Sequence, residues 1–160
     1  MKVEETTFLN DYIAMADYGD KLGWHERNGG NFTYWMKPKD VADVKDELHE
    51  DGKWLLIGTT VDNLANEYFL ISGTGKYFHN MKKDPHNTIG IIQVDSTGTK
   101  YRICWGLEHG GRPTSCLLYT SETHRPKKPH GSLNQSSDFR FAADSLSSVL
   151  PVSAVHSWRL

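Results

Sequence analysis

The sequence predicts an α/β domain whose sheet is at least partly antiparallel. Three patterns support this: a helix-like segment near the start, several short apolar runs bounded by glycine and polar residues, and one pair of runs joined by a tight turn. A chain of 160 residues can build one domain with a hydrophobic core and is too short for two ordinary ones.

Composition excludes several classes of partner. A formal net charge of -2 and a pI of 6.4 provide no basic field, so nucleic acid is not an expected partner. No apolar run could span a bilayer and residues 1–7 do not resemble a signal peptide, so we expect no membrane partner and a cytoplasmic location. Cys104 and Cys116 fit neither a disulfide framework nor a zinc spacing, and reduced thiols are expected.

The first third of the chain predicts one helix and one strand. Apolar residues recur every three or four positions over residues 7–22, which predicts an amphipathic helix ending near Gly23. Residues 32–36 are aromatic and β-prone, and Pro38 ends this predicted strand. Residues 40–53 carry only a thin apolar stripe, which indicates a solvated surface helix or an insertion.

The middle of the chain predicts a sheet. Residues 54–57 and 68–71 are apolar runs expected of buried strands. Residues 89–95 and 101–105 are two further strands, and the Ser-Thr-Gly turn at 96–98 joins them as a hairpin.

Three loops have the chemistry of an anion site. Residues 28–31 place two carboxamides beside glycines, which accept positive φ and can expose several N–H groups. Residues 72–76 offer hydroxyls, glycine N–H groups and Lys76, and residues 110–115 offer hydroxyls beside an arginine. Each loop taken alone also fits an ordinary turn.

Five motifs in order then resemble the rhamnulose-1-phosphate aldolase family of class II aldolases. The motifs are residues 23–31, 71–78, 94–96, 104–107 and 112–115. The resemblance covers about residues 5–115, roughly the first half of a complete family chain. It implies a three-layer α/β/α class II aldolase-like fold with a mostly antiparallel central sheet, incomplete in this chain.

The resemblance also implies a function. Family members carry out zinc-dependent retro-aldol cleavage of L-rhamnulose 1-phosphate into dihydroxyacetone phosphate and L-lactaldehyde, in rhamnose catabolism, as cytoplasmic homotetramers. Carried over by matching position, the residues that bind the substrate phosphate are Asn28, Gly30, Asn31, Thr74, Gly75, Thr114 and Ser115.

The catalytic base and the metal ligands of the family have no counterpart here. Family members follow Pro-Thr-Ser with a glutamate that transfers protons, where this chain has Cys116, a poor substitute for a carboxylate. His124, His130 and His156 form no His-x-His pair and do not suggest one site. Zinc is therefore expected in the complete family enzyme, with its ligands absent from this chain.

The last segment, residues 116–160, changes character. It is rich in serine and proline and does not match the family, and residues 139–150 are weakly helical at best. It is either a native tail or the product of a shifted reading frame or a chimeric join after Ser115. We favour the second, because residues 116–121 resemble one reading frame of a sequencing-library adaptor.

We therefore expect an inactive fragment that folds poorly, because the strands at 54–57 and 68–71 would lack partners supplied by the other half of a family chain. Two alternatives to the aldolase reading stay open. One is a noncatalytic phospho-sugar binding module that keeps the phosphate loops. The other is a different sugar-phosphate aldolase or epimerase that uses the same loops.

Overall fold

The structure is a computed structural model, and it describes residues 1–23, 30–114 and 139–143. Several residues singled out from the sequence lie outside these ranges, namely Asn28, Ser115, Cys116, His124, His130 and His156.

A six-stranded antiparallel sheet forms the centre of the described fold. Its order is β2-β5-β4-β3-β1-β6, and every neighbouring pair is antiparallel. This confirms the antiparallel sheet and the hairpin of β4 with β5. The strands are β1 Gly30–Trp35, β2 Leu55–Leu56, β3 Tyr68–Ser72, β4 Ile89–Val94, β5 Lys100–Gly106 and β6 Phe139–Ala143.

The described helices are α1 Thr7–Lys21, α2 Pro38–Val44 and α3 Pro85–Thr88. The hydroxyl of Thr6 caps α1 by accepting from the N–H of Leu9. After the helix, Gly23 takes a positive φ of 74°, as is common where a helix ends. The predicted first helix is confirmed within one residue at its end.

Helix α1 covers one face of the sheet. Its apolar positions fall on one side of the helix, so they can all face the strands. The residues of α1 in this buried cluster are Phe8, Leu9, Tyr12 and Ala16, and the strand residues include Phe32, Tyr34, Leu70, Ile89, Ile91 and Trp105.

A second buried cluster lies on the other face. The segment between β2 and β3 contributes Ile57, Val61 and Leu64, which pack on alternate residues of the strands. Its only helical element is a single 3₁₀ turn, Asp62–Leu64. Within the described ranges, a long helix therefore covers one face of the sheet. This supports the α/β class, while the three-layer arrangement stays a prediction.

The prediction of a buried strand at residues 54–57 is wrong. Only Leu55–Leu56 form a strand, at the edge of the sheet, and Leu56 is 76% exposed. An apolar run does not distinguish an edge strand from a central one, because that difference depends on pairing.

The expectation that residues 68–71 lack partners is also wrong. Strand β3 pairs with β1 on one side and β4 on the other, so both of its edges are occupied. These partners come from the described part of this same chain.

The sequence of residues 139–150 predicts a weak helix at best. Of these residues the structure describes 139–143, which form strand β6 and pair with β1 from Gly30 to Tyr34. The free edge of β1 offers backbone hydrogen bonds that favour an extended partner. The origin of residues 116–160 stays a prediction.

Asp95 begins the turn of the β4–β5 hairpin. Its Oδ1 accepts from the N–H groups of Thr99 and Lys100, each at 2.9 Å, and its Oδ2 accepts from the Thr97 hydroxyl at 2.5 Å. Burial alone would raise the pKa of Asp95, but these hydrogen bonds together hold it below its usual value. The carboxylate therefore stabilises the hairpin in its charged form.

We expect Leu70→Ala to lower the free energy of unfolding by about 2–5 kcal/mol, because Leu70 is fully buried in the centre of the sheet. The matched control is Leu56→Ala, at the exposed edge, which should change it by less than about 0.5 kcal/mol. Urea unfolding of both variants checks this. Equal losses would contradict the placement of the two strands.

We expect Asp95→Asn to destabilise the protein by about 1 kcal/mol at pH 7. Because the folded-state pKa is lowered, the stabilisation is complete above the unfolded pKa of about 3.9 and is lost as pH falls through the folded value. The difference in urea midpoint between variant and wild type should therefore shrink at acidic pH. A constant difference would argue against a charge effect, and Asp62→Asn, at an exposed position, is the control.

Candidate functional site

The described parts of the three loops predicted to bind an anion adjoin one end of the sheet, around Ser72. The N–H of Phe32, at the start of β1, donates to Ser72 Oγ at 3.0 Å. The N–H of Thr114 donates to the Ser72 carbonyl at 3.2 Å. Ser72 thus joins the end of β3 to the beginning of β1 and to the segment that follows β5.

The glycine-rich loop is held directly against the third loop. The N–H of Thr74 donates to the Arg112 carbonyl at 2.8 Å, and Gly73 forms an isolated antiparallel bridge with Pro113. The Thr74 hydroxyl donates to the Pro113 carbonyl at 3.3 Å. The chain from 112 to 114 therefore continues the sheet beside the end of β3.

Four of the five described candidate residues form a buried pair and an exposed pair. Asn31 and Thr114 are 7% and 8% exposed, whereas Thr74 and Gly75 are exposed. The Thr114 hydroxyl donates to the Ser72 carbonyl at 3.3 Å, which is long for such a bond. The hydroxyl also keeps its acceptor lone pairs and can rotate toward another partner.

Gly75 exposes a backbone donor. Its φ is +70°, and a Cβ added there would meet no atom within 4 Å. Its N–H donates to no residue in the part of the chain that the structure describes. This position favours glycine for its backbone conformation, and the resulting turn leaves an N–H group accessible to a ligand.

Gly30 is placed as the first residue of β1. Asn28 and Ser115, which complete the predicted phosphate set, lie outside the described residues. The structure describes five of the seven predicted residues and links the segments of Thr74 and Thr114 directly, while Asn31 is joined to them through the neighbouring Phe32 and Ser72. The role of all seven residues in binding phosphate stays a prediction.

Tyr12 supports the site from the core, and the sequence did not single it out. Its hydroxyl donates to the Phe32 carbonyl at 2.6 Å, and it also shares a hydrogen bond with the Ser72 side chain. Burial raises the pKa of Tyr12 well above its usual value, although the Ser72 hydrogen bond lowers it in part. A tyrosine among apolar helix positions is a signal for such a link, because its buried hydroxyl needs a partner.

A separate cavity lies away from these loops. It has a volume of about 590 Å³, and none of the five described phosphate residues lines it. In its wall, His86 Nε2 lies 2.7 Å from a Glu4 oxygen and His86 Nδ1 lies 3.6 Å from a Glu108 oxygen. These contacts link the first residues of the chain to the loop after β5.

No group of three histidine, cysteine, aspartate or glutamate side chains in the described ranges could hold a metal ion. Cys104 is a free, buried thiol, and burial raises its pKa to about 11. Such a thiol is protonated at neutral pH and is a poor ligand or nucleophile. The described residues thus do not fit a zinc site.

The helices that the structure describes include none that is both long and apolar enough to cross a membrane.

Comparison with known proteins shows the relationship predicted from the motifs. The chain is 39% identical over 131 residues to a putative rhamnulose-1-phosphate aldolase of Salmonella typhi, covering 81% of this chain and 48% of that protein. It is 42% identical over 102 residues to the rhamnulose-1-phosphate aldolase of Mannheimia succiniciproducens, covering 64% of this chain and 38% of that protein. No family model matches the chain.

The resemblance to rhamnulose-1-phosphate aldolases is thus confirmed, while the chain spans about half the length of these curated relatives or less. Among solved structures, the sugar-phosphate aldolase from Thermotoga maritima superposes with a TM-score of 0.52 at 21% identity. This match covers 66% of this chain and 40% of that one. It supports the fold alone.

We expect Tyr12→Phe to lower the free energy of unfolding by about 1–2 kcal/mol, because it removes the buried hydrogen bond that the Tyr12 hydroxyl donates to the Phe32 carbonyl. The variant keeps the aromatic ring of residue 12, whose centroid lies 4.4 Å from that of the Phe32 ring. The control is Tyr18→Phe, since Tyr18 is half exposed on the same helix. Urea unfolding that shows equal effects for the two variants would contradict the supporting role of the Tyr12 hydroxyl.

Proposed function

We propose that the described residues form the phosphate-binding part of a class II aldolase that acts on L-rhamnulose 1-phosphate. The reaction is a zinc-dependent retro-aldol cleavage to dihydroxyacetone phosphate and L-lactaldehyde. The observation that carries the proposal is the meeting of three separate loops at Ser72. The choice of this sugar phosphate as the substrate follows the names of the relatives.

The buried and exposed groups of the site suit the two sides of a phosphate. We propose that the Asn31 carboxamide and the Thr114 hydroxyl contact the inner oxygens, while the Thr74 hydroxyl and the Gly75 N–H contact the outer ones. Hydrogen bonds to an ionised phosphate are stronger than those between neutral groups. Asn28 and Ser115 complete the proposed set by resemblance.

Such a site contributes binding and orientation rather than bond cleavage. Fixing the phosphate places the rest of the sugar at a defined distance from the loops, which lowers the entropy cost of reaching a reactive geometry. We propose that the proton-transferring base and the zinc ligands lie outside the described residues. We also propose that this 160-residue chain binds sugar phosphates without cleaving them.

Our proposals for the complete fold, the assembly, the location and the partners rest on the resemblance to the relatives. We propose that the complete protein has the three-layer α/β/α fold and assembles as a homotetramer. We further propose that it works in the cytoplasm in rhamnose catabolism, on a small-molecule sugar phosphate, with neither nucleic acid nor membrane as a partner.

We expect Asn31→Ala to weaken the binding of dihydroxyacetone phosphate about 10- to 100-fold, the effect of losing one hydrogen bond to a charged group. Isothermal titration calorimetry on the full chain measures this. The matched control is Asn10→Ala, at an exposed position of α1, which should bind as the wild type does. Addition of a chelator should leave the affinity unchanged, because the proposed contacts use no metal.

Two results would contradict the proposal. One is a folded wild-type chain that does not bind dihydroxyacetone phosphate, and the other is undiminished binding by Asn31→Ala. Product analysis with L-rhamnulose 1-phosphate tests the remaining part: released lactaldehyde would show that the chain as written also cleaves, and an epimerised sugar would overturn the aldolase assignment.

A further inference from the structure

The glycine-rich loop has a second side, which faces away from Thr114. The N–H of Thr74 donates to Arg112, but the N–H of the preceding Gly73 donates to the Thr88 carbonyl at 2.8 Å. Because successive N–H groups of an extended chain point in opposite directions, Thr88 and Arg112 lie on opposite flanks of the loop. The flank near Thr88 belongs to no site described above.

A cavity of about 320 Å³ opens on this second flank. Of the described residues among the proposed phosphate contacts, Gly75 alone also lines this cavity. Its lining residues are Gly75, Lys76, Tyr77, Asn80, Lys83, Asp84, Asn87 and Thr88.

The charge of this cavity differs from that of the whole chain. The chain has a formal net charge of -2, yet the cavity is lined by two lysines and a single carboxylate. That carboxylate, on Asp84, accepts a hydrogen bond at 3.3 Å from the N–H of Asn87, where it caps α3. Among the described residues, Lys83 has no ion-pair partner. The cavity is therefore locally positive.

Lys76 is held in place at the wall of this cavity. Its ammonium donates to Asn87 Oδ1 at 3.0 Å, and the side chain is half-buried. A Cβ added to Gly73 would lie 2.9 Å from Lys76 Cγ, so the lysine stem passes close over the glycine backbone. Ordering the lysine in the free protein reduces the entropy lost when an anion binds.

Asn87 contributes a donor of its own. Its Oδ1 accepts from Lys76, so the remaining polar group of the carboxamide is the NH₂, which can only donate. The cavity thus combines two cations with amide donors, which suits an oxyanion.

We propose that this cavity is a second oxyanion subsite, which takes a phosphate-class group through Lys76, Lys83 and the carboxamide of Asn87. It lies back to back with the first site across Gly73 to Gly75. The side chains proposed to bind the anion differ between the two sites, so the second can exist whether or not the protein is an aldolase. Its role is to attract and hold a phosphate group beside the loop, since paired cations at a cavity concentrate anions.

The test is a titration of inorganic phosphate into the ¹⁵N-labelled full chain, followed by the side-chain amide signals of Asn80 and Asn87. We expect saturable shifts that exceed those caused by sodium chloride at equal ionic strength. Lys83→Gln should weaken binding about fivefold, the effect of removing one unit charge near contact distance in water. Lys82→Gln is the matched control, because Lys82 is an exposed neighbour that does not line the cavity.

Asn31→Ala separates the two sites, since it should leave these shifts in place while it weakens dihydroxyacetone phosphate binding. If Lys82→Gln and Lys83→Gln weakened phosphate binding equally, the effect would come from the overall surface charge and not from the cavity. That result would overturn the proposal. Loss of the shifts in Asn31→Ala would overturn it too, because a single site would then explain both. A parallel titration with glycerol 3-phosphate assigns the subsite to phosphate esters if the ester binds at least as tightly, and to free phosphate if it binds more weakly.

Discussion

Ser72 is the junction on which the arrangement of the site depends. It is buried at the end of β3, and its side-chain and main-chain oxygens accept hydrogen bonds from Phe32 and Thr114. Because β3 is paired on both sides, its end is fixed by the register of the sheet. A slip of one residue would turn Ser72 toward the opposite face and separate the loops.

The hydrophobic core supports this junction from below. Tyr12 places its ring against Phe32 and its hydroxyl against the Phe32 carbonyl. The packing of α1 on the sheet and the geometry of the loops are thus coupled through one side chain. A binding site attached to a packed core in this way holds its donors in place before the ligand arrives, which lowers the entropy cost of binding.

The glycine-rich loop separates two environments of different electrostatic character. On the flank near Thr114, neutral donors and buried polar groups can surround one anion, while on the flank near Thr88 two lysines create a local positive charge. Glycine at position 73 permits this arrangement, because a larger residue would collide with Leu107 and Lys76. One short loop can therefore serve two faces.

Patterns that depend on neighbouring residues were predictable from the sequence. The extent of α1, the β4–β5 hairpin and the polar character of the three loops follow from local periodicity and turn chemistry, and the structure confirms the first two. The motifs also indicated the relatives, which the comparisons confirmed. The contribution of all seven predicted residues to phosphate binding stays a prediction.

The tertiary structure decided what depends on distant pairing. Ser72 and Phe32 are 40 residues apart in the chain, and Ser72 and Thr114 are 42 apart, so no local pattern could show that these loops meet. The exposed position of Leu56 and the pairing of β6 with β1 were not predicted, for the same reason. The sequence by itself indicated which segments have the chemistry of an anion site, and the pairing of strands decided which of them lie next to one another.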